Sequence, residues 1–501
     1  MSHHFTPVLL VFLIIGVTIL VPFLYHRRQR YPPGPPTNPF TGNITKFPLQ
    51  GGWATLTKLK DAYGDLVFFH GLGTRILVLN SMKTIADLLE KRGNIYSDRP
   101  NFTVVGELMD LGQSMPLLPY GEEWRVQRKL VHGSLGPSSV KQYHKIQEDL
   151  AGLLAKQLLD DPVGFFDHVR LTASRLILAI TYGLDVESAD NDYITHAEDT
   201  MLMISKATVP GAFLCDFFPW MKHLPSWLPF QRTAREGKQM IDELVTRPLE
   251  HVKQAMENSS APRSLTQELL ASDEQYPNKE HHIRWSMGSL YGAGGETTYA
   301  TVLTCIMAMA LHPDKLRLAQ AEIDAVVGTD RLPTIGDRTH LPYVNAVIKE
   351  TMRWHPALPL GIARSVTKDD IYNGYHIPRG TIVIPNVWAV AFEHCGVHSP
   401  SEFIPERFLV TTSEAVPADP AIWAFGFARR ICPGKHLAEN SLFIIIATIL
   451  AAFNISEPSD RALDVQFTAG LVSYPLPFTC DITPRSSARA SQVVWRASQV
   501  D

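Results

Sequence analysis

Residues 425–434 read Phe-Gly-Phe-Ala-Arg-Arg-Ile-Cys-Pro-Gly, and this stretch decides the fold. Cys432 lies in a segment rich in small residues, with Arg429 and Arg430 before it and an apolar run, residues 437–450, directly after it. A cysteine beside arginine at a helix N-terminus is expected to have a lowered pKa and to exist largely as thiolate. Thiolate is one of the few axial ligands that a protein offers to haem iron. The alternative is an ordinary buried cysteine in a loop.

The decapeptide resembles the haem-binding signature of the cytochrome P-450 superfamily, Phe-x-x-Gly-x-Arg-x-Cys-x-Gly. Ala428 stands where that family has its first required glycine, and if the position needs a positive φ, alanine costs about 1 kcal/mol or more. The resemblance implies haem b as the cofactor, Cys432 as the axial ligand of its iron, and haem contacts from Phe425 and Gly426. Four residues match the family's positions: Phe425, Arg430, Cys432 and Gly434.

Composition limits the other possibilities. The formal net charge of −4 over 501 residues gives no reason to expect a nucleic-acid partner. The five cysteines are odd in number and widely spaced, which indicates neither a disulfide framework nor a zinc site. No repeat and no long linker interrupts the chain, so we expect one catalytic domain over residues 51–483. Residues 484–501, rich in Ser, Arg and Ala, are predicted to be disordered.

The N-terminus is strongly apolar. Residues 5–25 would form roughly 31 Å of helix, enough to cross the hydrocarbon of a bilayer. Arginines follow this run and none precedes it, so a single-pass anchor would leave the rest of the chain in the cytosol. Residues 26–50 are basic and Pro-rich and are predicted to be a linker. In microsomal members of the family, the same arrangement joins an endoplasmic reticulum anchor to the catalytic domain.

Apolar periodicity predicts a mainly α fold with small β-sheets, as the family would have. From Glu122 to about Val327 the pattern is helical, and residues 436–452 read as a buried helix. One hairpin is predicted at residues 66–80, and a second one pairs residues 371–376 with 381–385. Residues 101–119 read as a long loop.

The segment Ala293-Gly-Gly-Glu-Thr-Thr298 lies inside a helical run, Ile283 to Leu311. Two glycines in mid-helix cost about 1 kcal/mol each relative to alanine, so something must offset them. They either permit close helix packing or let the helix pass against a flat cofactor. The segment is similar to the family's oxygen-activation motif at every position. That resemblance implies that Glu296 feeds protons and that Thr297 hydrogen-bonds dioxygen.

Glu350 and Arg353 are three residues apart and share one helix face. Taken alone, this spacing indicates an ordinary surface ion pair. The resemblance implies that they form a buried triad behind the haem with Arg407, about fifty residues further along the chain. Such a network is costly to break but adds little net stability.

Trp124 and Arg128 are four residues apart and also share a helix face. Either Trp124 is a core residue and Arg128 is solvated, or, as the resemblance implies, the two residues hold the haem propionates. A guanidinium group suits that role because it can bind a carboxylate through two hydrogen bonds. Arg430 matches the family's other propionate arginine, and Arg364 is a weaker candidate for the same role.

Two adjacent histidine pairs, 3–4 and 281–282, invite a metal-site interpretation. We reject it because neighbouring side chains diverge on a helix and no carboxylate partner is evident.

Together these motifs imply a monooxygenase that hydroxylates an apolar small molecule with O₂ and electrons from NADPH. A cytochrome P-450 reductase would deliver the electrons, and cytochrome b5 would be a further donor. Two interpretations of the basic face of the protein are open: it is the docking surface for these donors, or it is an ordinary solvated surface. The phrases at residues 341–350 and 384–389 resemble fungal, especially basidiomycete, members, many of which act on terpenoids and other secondary metabolites. Two alternatives stay open: a haem-thiolate isomerase or dehydratase that needs no O₂, and a non-catalytic haem-binding protein, suggested by Ala428. The expected pocket walls are residues 101–119, 289–293, 358–362 and 471–472, with Asn101, Thr103 and Gln113 as polar handles.

Overall fold

The computed structural model describes residues 30–48, 51–209, 211–393, 398–409 and 417–500. The predicted anchor, residues 5–25, lies outside the described residues. The described helices are α1 Trp53–Tyr63, α2 Met82–Ile85, α3 Gly93–Tyr96, α4 Glu122–Leu135, α5 His144–Asp160, α6 Phe165–Tyr182, α7 Asp192–Ala207, α8 Leu214–Phe217, α9 Pro229–Glu257, α10 Leu265–Ala271, α11 Lys279–Leu311, α12 Pro313–Val326, α13 Pro342–Trp354, α14 Val387–Ala391, α15 Lys435–Ala452 and α16 Ser487–Ala497. The strands are β1 Leu66–Gly71, β2 Thr74–Leu79, β3 Arg364–Ser365, β4 Asp370–Tyr372, β5 Tyr375–Ile377, β6 Ile382–Pro385, β7 Phe453–Ser456 and β8 Asp481–Pro484.

Two apolar helices form the centre of the molecule. Helix α11 contains 33 residues and packs against α4, α6, α9 and α15. It is buried on most sides because its apolar residues are not confined to one face. Helix α15 is apolar and long enough to cross a membrane. However, 72% of its 18 residues are buried inside the protein, which makes it a core helix. The predicted helices at 283–311 and 436–452 are therefore confirmed.

The described strands form a four-stranded sheet and two two-stranded antiparallel sheets, β4–β5 and β7–β8. The hairpin β1–β2 is confirmed, with Leu66 opposite Leu79. The second predicted hairpin is wrong, because β4 and β5 pair with each other through Asn373-Gly374, which both have positive φ. Asn-Gly is the sequence that a tight two-residue turn prefers, so the chain reverses there. This turn preference outweighs the apolar pattern of residues 371–376 and 381–385 on which the predicted pairing was based. Strand β6 instead pairs in parallel with β2, in a sheet of order β1-β2-β6-β3.

The predicted linker is wrong over its described part, since residues 31–48 pack on the first sheet. Asn43 is buried, and its side chain bonds the carbonyl oxygens of Pro35 (2.8 Å) and Phe68 (3.1 Å) and the backbone N–H of His70 (2.6 Å). Ile44 and Phe47 are buried as well. This part of the chain therefore belongs to the catalytic domain, in spite of its prolines.

The prediction of a disordered C-terminal tail is also wrong. Ser486 caps helix α16 by accepting a hydrogen bond from the backbone N–H of Arg489. Arg489 is only 3% exposed and lies 2.7 Å from a carboxylate oxygen of Asp324, while Arg496 reaches Asp149 at 2.7 Å. The arginines that made the composition resemble a disordered segment thus anchor the helix to α12 and α5.

Candidate active site

Cys432 ends a tight loop that leads into helix α15. Its backbone N–H donates to the carbonyl oxygen of Phe425 at 2.7 Å, which closes the loop. Ala428 has φ +46° and Gly426 has φ +80°, so both adopt the left-handed conformation that the glycine-rich signature provides for. The thiol of Cys432 is accessible to a water-sized probe, whereas Cys215 and Cys305 are buried.

The thiol of Cys432 does not have the lowered pKa that the sequence suggested. Burial raises its pKa, and the backbone N–H of Gly434 and the charge of Arg128 oppose this rise without cancelling it. The side chain is reachable, yet protein atoms surround it closely enough to disfavour a lone negative charge. The thiolate therefore needs a cationic partner such as a metal ion, which displaces the proton on binding.

Helix α4 carries both Trp124 and Arg128, as their spacing predicted, and packs them against the cysteine loop. Nη1 of Arg128 donates to the carbonyl oxygen of Ile431 at 2.6 Å, next to Cys432. The guanidinium carbon of Arg430 lies 4.7 Å from the centre of the Trp124 indole. Trp124 is both a core residue, at 7% exposure, and the surface on which Arg430 rests.

Two further arginines converge on the same place. Nη2 of Arg364 donates to the carbonyl oxygen of Phe427 at 2.6 Å, and its Nη1 is buried without a hydrogen-bond partner. Arg99 donates to the carbonyl oxygens of Pro116 and Ala363, each at 2.6 Å. Arg99 was missed in the sequence, because it belongs to none of the motifs that pointed to the others.

These guanidinium groups lack acidic partners. Within the described part of the chain, no carboxylate oxygen lies within 4.0 Å of Arg99, Arg128, Arg364 or Arg430. Burial lowers the pKa of Arg430 to about 10, and burial together with the charge of Arg430 lowers that of Arg364 to about 10. Arg99 feels the charges of both. A cluster of buried cations beside an exposed cysteine suits a ligand that carries two carboxylates and a metal ion. Haem is such a ligand, because its propionates can pair with arginines and its iron can bind a thiolate.

Glu350, Arg353 and Arg407 form a buried triad, as predicted. The Arg353 Nε and Nη2 atoms lie 2.7 and 2.8 Å from the two Glu350 carboxylate oxygens, and Arg407 Nε lies 3.1 Å from Oε1. The side chain of Glu350 is fully buried. It also accepts from the backbone N–H of Ile404 at 2.7 Å, so the triad holds the 399–407 segment against helix α13.

Glu296 and Thr297 face a cavity of about 740 Å³. The Thr297 hydroxyl donates to the carbonyl oxygen of Ala293 at 3.1 Å, within its own helix. Burial, with a smaller contribution from Glu198, raises the pKa of Glu296 to about 7. Burial likewise raises the pKa of Glu198, whose carboxylate lies 3.2 Å from Arg170. Both Glu198 and Arg170 line the cavity, and sequence reasoning found neither.

The glycines of helix α11 serve helix packing in two clear cases. A Cβ on Gly288 would lie 2.4 Å from Cγ1 of Val245, and one on Gly294 would lie 2.8 Å from Ile177. Gly295 lines the cavity, as Gly288 and Gly292 also do, and its passage against a flat cofactor stays a prediction. The close approach of α6 and α9 to α11 offsets the helix-propensity cost.

The predicted cavity walls are confirmed, and the predicted polar handles are wrong. The lining includes residues 289 and 291–293, residues 358–362, and Leu471 with Val472. From the 101–119 segment it includes Phe102, Leu111 and Ser114, but not Asn101, Thr103 or Gln113. Helix α7 supplies a wall that the sequence did not indicate. Cys432 is not among the lining residues, which lie on the Thr297 side of the site.

Comparison with known proteins agrees with this geometry. The family model described as Cytochrome P450 matches residues 32–481. The chain is 39% identical to "Cytochrome P450 monooxygenase claR" of Ampulloclitocybe clavipes, over 92% of this chain and 88% of that protein. It is also 39% identical to "Cytochrome P450 monooxygenase COX2" of Coprinopsis cinerea, over 92% and 91% of the two chains. The chain therefore belongs to the cytochrome P450 family of haem-thiolate monooxygenases, close to members from basidiomycete fungi.

Proposed function

We propose that Cys432 is the axial ligand of haem b and that the enzyme hydroxylates an apolar small molecule in the cavity beside Thr297. The observation that carries this proposal is the exposed Cys432 next to the half-buried Arg128 and three buried arginines, Arg99, Arg364 and Arg430, none of which has a carboxylate partner among the described residues. Trp124, Arg128, Arg364 and Arg430 would hold the haem propionates, and Arg99 would join them. Phe425 and Gly426 would shape the loop against the haem face.

Bound haem would supply the reductive activation of O₂, with two electrons, two protons and the substrate giving hydroxylated product and water. The chain's own contribution is to deliver protons on the substrate side. With a pKa of about 7, Glu296 is divided between its two protonation states near neutral pH, so it can both give and regain a proton. The Thr297 hydroxyl donates to the carbonyl oxygen of Ala293, so its oxygen can accept a hydrogen bond, and rotation of the O–H bond away from Ala293 would let it donate to another group in turn.

The substrate would be a terpenoid or another fungal secondary metabolite. The cavity volume of about 740 Å³ lies within the range of about 300–1,000 Å³ that is usual for small-molecule sites. Its walls are mainly apolar, and the charged residues among them are Arg170, Glu198, Asp199, Lys206 and Glu296. The relatives from basidiomycete fungi are named as monooxygenases without a substrate, so the terpenoid class itself rests on the resemblance at residues 341–350 and 384–389.

We further propose that the enzyme lies on the endoplasmic reticulum membrane, anchored by residues 5–25, with the catalytic domain in the cytosol. Four large apolar side chains near residues 214–227 support contact with lipid, since a soluble surface rarely exposes so many together. Their exposures range from 38% to 70%: Leu214, Phe218, Trp220 and Trp227.

NADPH–cytochrome P-450 reductase, with cytochrome b5 as a second donor, would dock on the side of the cysteine loop. The exposed side chains of Arg125 and Arg429 each lie 5.3 Å from the ring centre of Tyr120, and Lys129 is exposed nearby on α4. Such a basic surface steers an acidic donor and raises its encounter rate. This assignment places electron entry on the loop that holds Cys432.

The test is the spectrum of the reduced protein with carbon monoxide. A thiolate-type Soret band is expected for the natural chain and for Cys480→Ser, and its loss is expected for Cys432→Ser. An unchanged band and full turnover in Cys432→Ser would refute the proposal. NADPH and O₂ consumption with a reductase and a panel of terpenoids then separates a monooxygenase from an O₂-independent isomerase. Ala428 adopts a positive φ, so the alanine at this position of the loop does not by itself argue for a non-catalytic haem-binding protein.

A further inference from the structure

Two helix starts bring three potential metal ligands together. Glu123 lies in the first turn of α4, and His281 and His282 lie in the first turn of α11. One ligand atom from each of the three residues lies within 4.8 Å of the others. The sequence interpretation rejected a metal site here because adjacent histidines diverge and no carboxylate was evident. The carboxylate comes instead from a different helix.

His282 provides a second and independent observation. It is only 5% exposed, and its Nδ1 atom is buried without a hydrogen-bond partner. Buried imidazole nitrogens are nearly always satisfied by a protein group or by water. Its ring neighbours are aromatic, with ring centres at 5.5 Å for His281 and 6.2 Å for Tyr276. A cation bound between His281, His282 and Glu123 would give the imidazole the partner it lacks.

The charges around the cluster suit a cation with nitrogen ligands. Two of the three ligands are imidazoles, which bind a divalent cation through a neutral nitrogen lone pair. Arg284 is directed to Asp242, at 3.5 Å, on helix α9. Glu123 is exposed and supplies the negative charge that offsets both a divalent cation and the positive helix ends.

We propose that Glu123, His281 and His282 bind one Zn²⁺ or a similar borderline divalent cation, with water completing the coordination. Two imidazoles and a carboxylate form a ligand set that selects Zn²⁺ over Mg²⁺ and Ca²⁺, which prefer oxygen ligands only. Zinc bonds of about 2.0–2.2 Å require the ligand atoms to approach one another more closely than 4.8 Å. The exposed side chain of Glu123 can make that adjustment by rotating.

Such a site would join the first turns of α4 and α11. Helix α4 also carries Trp124, and α11 carries Glu296 and Thr297 about four turns after the two histidines. The proposal does not depend on the proposed haem ligation, because none of its ligands belongs to the cysteine loop or to the cavity. The site would stabilise the pairing of α4 with α11 at the N-terminal end of α11, away from residues 293–298.

The test is zinc binding by the full-length holoprotein, in a background in which His3→Asn and His4→Asn remove a competing histidine pair. Calorimetry and metal analysis after titration with ZnCl₂ should show one Zn²⁺ per chain, and MgCl₂ should show no comparable binding. Glu123→Gln, His281→Asn and His282→Asn should each weaken zinc binding by about 100-fold or more. The exposed His340→Asn is the matched control and should leave the affinity unchanged.

Because His282→Asn alters a buried position, the decisive variants are the more exposed Glu123→Gln and His281→Asn. An unchanged CO spectrum in these two shows that the fold is intact. If both retain the zinc stoichiometry and affinity of the background protein, or if the background protein binds no zinc, the proposal is refuted.

Discussion

Replacing Glu296 by glutamine should stabilise the protein above neutral pH and leave its stability almost unchanged at about pH 5. Burial, with help from Glu198, raises the pKa of Glu296 from 4.5 to about 7. Between these two values, the folded protein holds a proton that the unfolded chain has released. The free energy of unfolding therefore falls as pH rises through this window, and an uncharged glutamine removes that loss.

The size of the effect follows from the shift. Each pKa unit corresponds to about 1.4 kcal/mol, so the change from 4.5 to about 7 sets an upper limit of about 3 kcal/mol. Glu296 faces a cavity that admits water, which reduces the cost of its charge. We therefore expect Glu296→Gln to raise the free energy of unfolding by about 1–2 kcal/mol at pH 8 and by much less at pH 5.

Urea unfolding of the holoprotein at a series of pH values, followed by far-UV circular dichroism, measures this difference. The matched control is Glu257→Gln at the exposed end of α9, which should change stability by less than about 0.5 kcal/mol at every pH. If Glu296→Gln shifts stability equally at pH 5 and pH 8, or destabilises the protein at pH 8, then Glu296 is not held in a charge-disfavouring environment. The proton-delivery role proposed for it would then lose its physical basis.

Four further outcomes follow from the site. Ala428→Gly should raise the free energy of unfolding by about 0.5–1 kcal/mol in urea, because φ +46° strains alanine; an equal or lower stability would show that the loop is not strained there. Glu350→Gln should cost about 3–5 kcal/mol and release haem, measured by the CO spectrum, since it removes the negative charge that lies between two buried arginines; retention of haem and stability would contradict this. Thr297→Ala should lower the yield of product per NADPH without loss of the CO band, and unchanged coupling would remove Thr297 from proton transfer. Arg125→Glu should slow reduction by the reductase and weaken its salt dependence, with an unchanged CO band, and an unaltered rate would place the docking surface elsewhere.

The residues that the sequence located correctly share a simple property. Trp124 and Arg128, and likewise Glu350 and Arg353, are separated by one helical turn, so a helix places them on one face whatever else the chain does. The spacing could not tell that Glu350 is buried or that Arg407 completes its ion pairs. That part depended on the family resemblance, because it joins segments more than fifty residues apart.

The residues that the sequence missed are placed by packing alone. Arg99 reaches the carbonyl of Ala363 across 264 positions, and Arg170 meets Glu198 because α6 and α7 both border the cavity. No local pattern encodes such contacts. The same limit explains the C-terminal helix, whose arginines resemble those of a disordered tail until Asp324 and Asp149 are brought beside them.

The pKa of Cys432 shows how a correct local argument can still give the wrong sign. The backbone N–H of Gly434 and the charge of Arg128 both lower the pKa of Cys432, but the arginine concerned comes from α4 and is neither Arg429 nor Arg430, on which the sequence argument relied. Burial outweighs them, because a lone thiolate loses more hydration than one N–H group and one guanidinium restore. The proposed haem ligation would overcome this cost, because bound iron would stabilise the charge on sulfur. The chain would then contribute mainly the position of the thiol and the arginines proposed to hold the propionates.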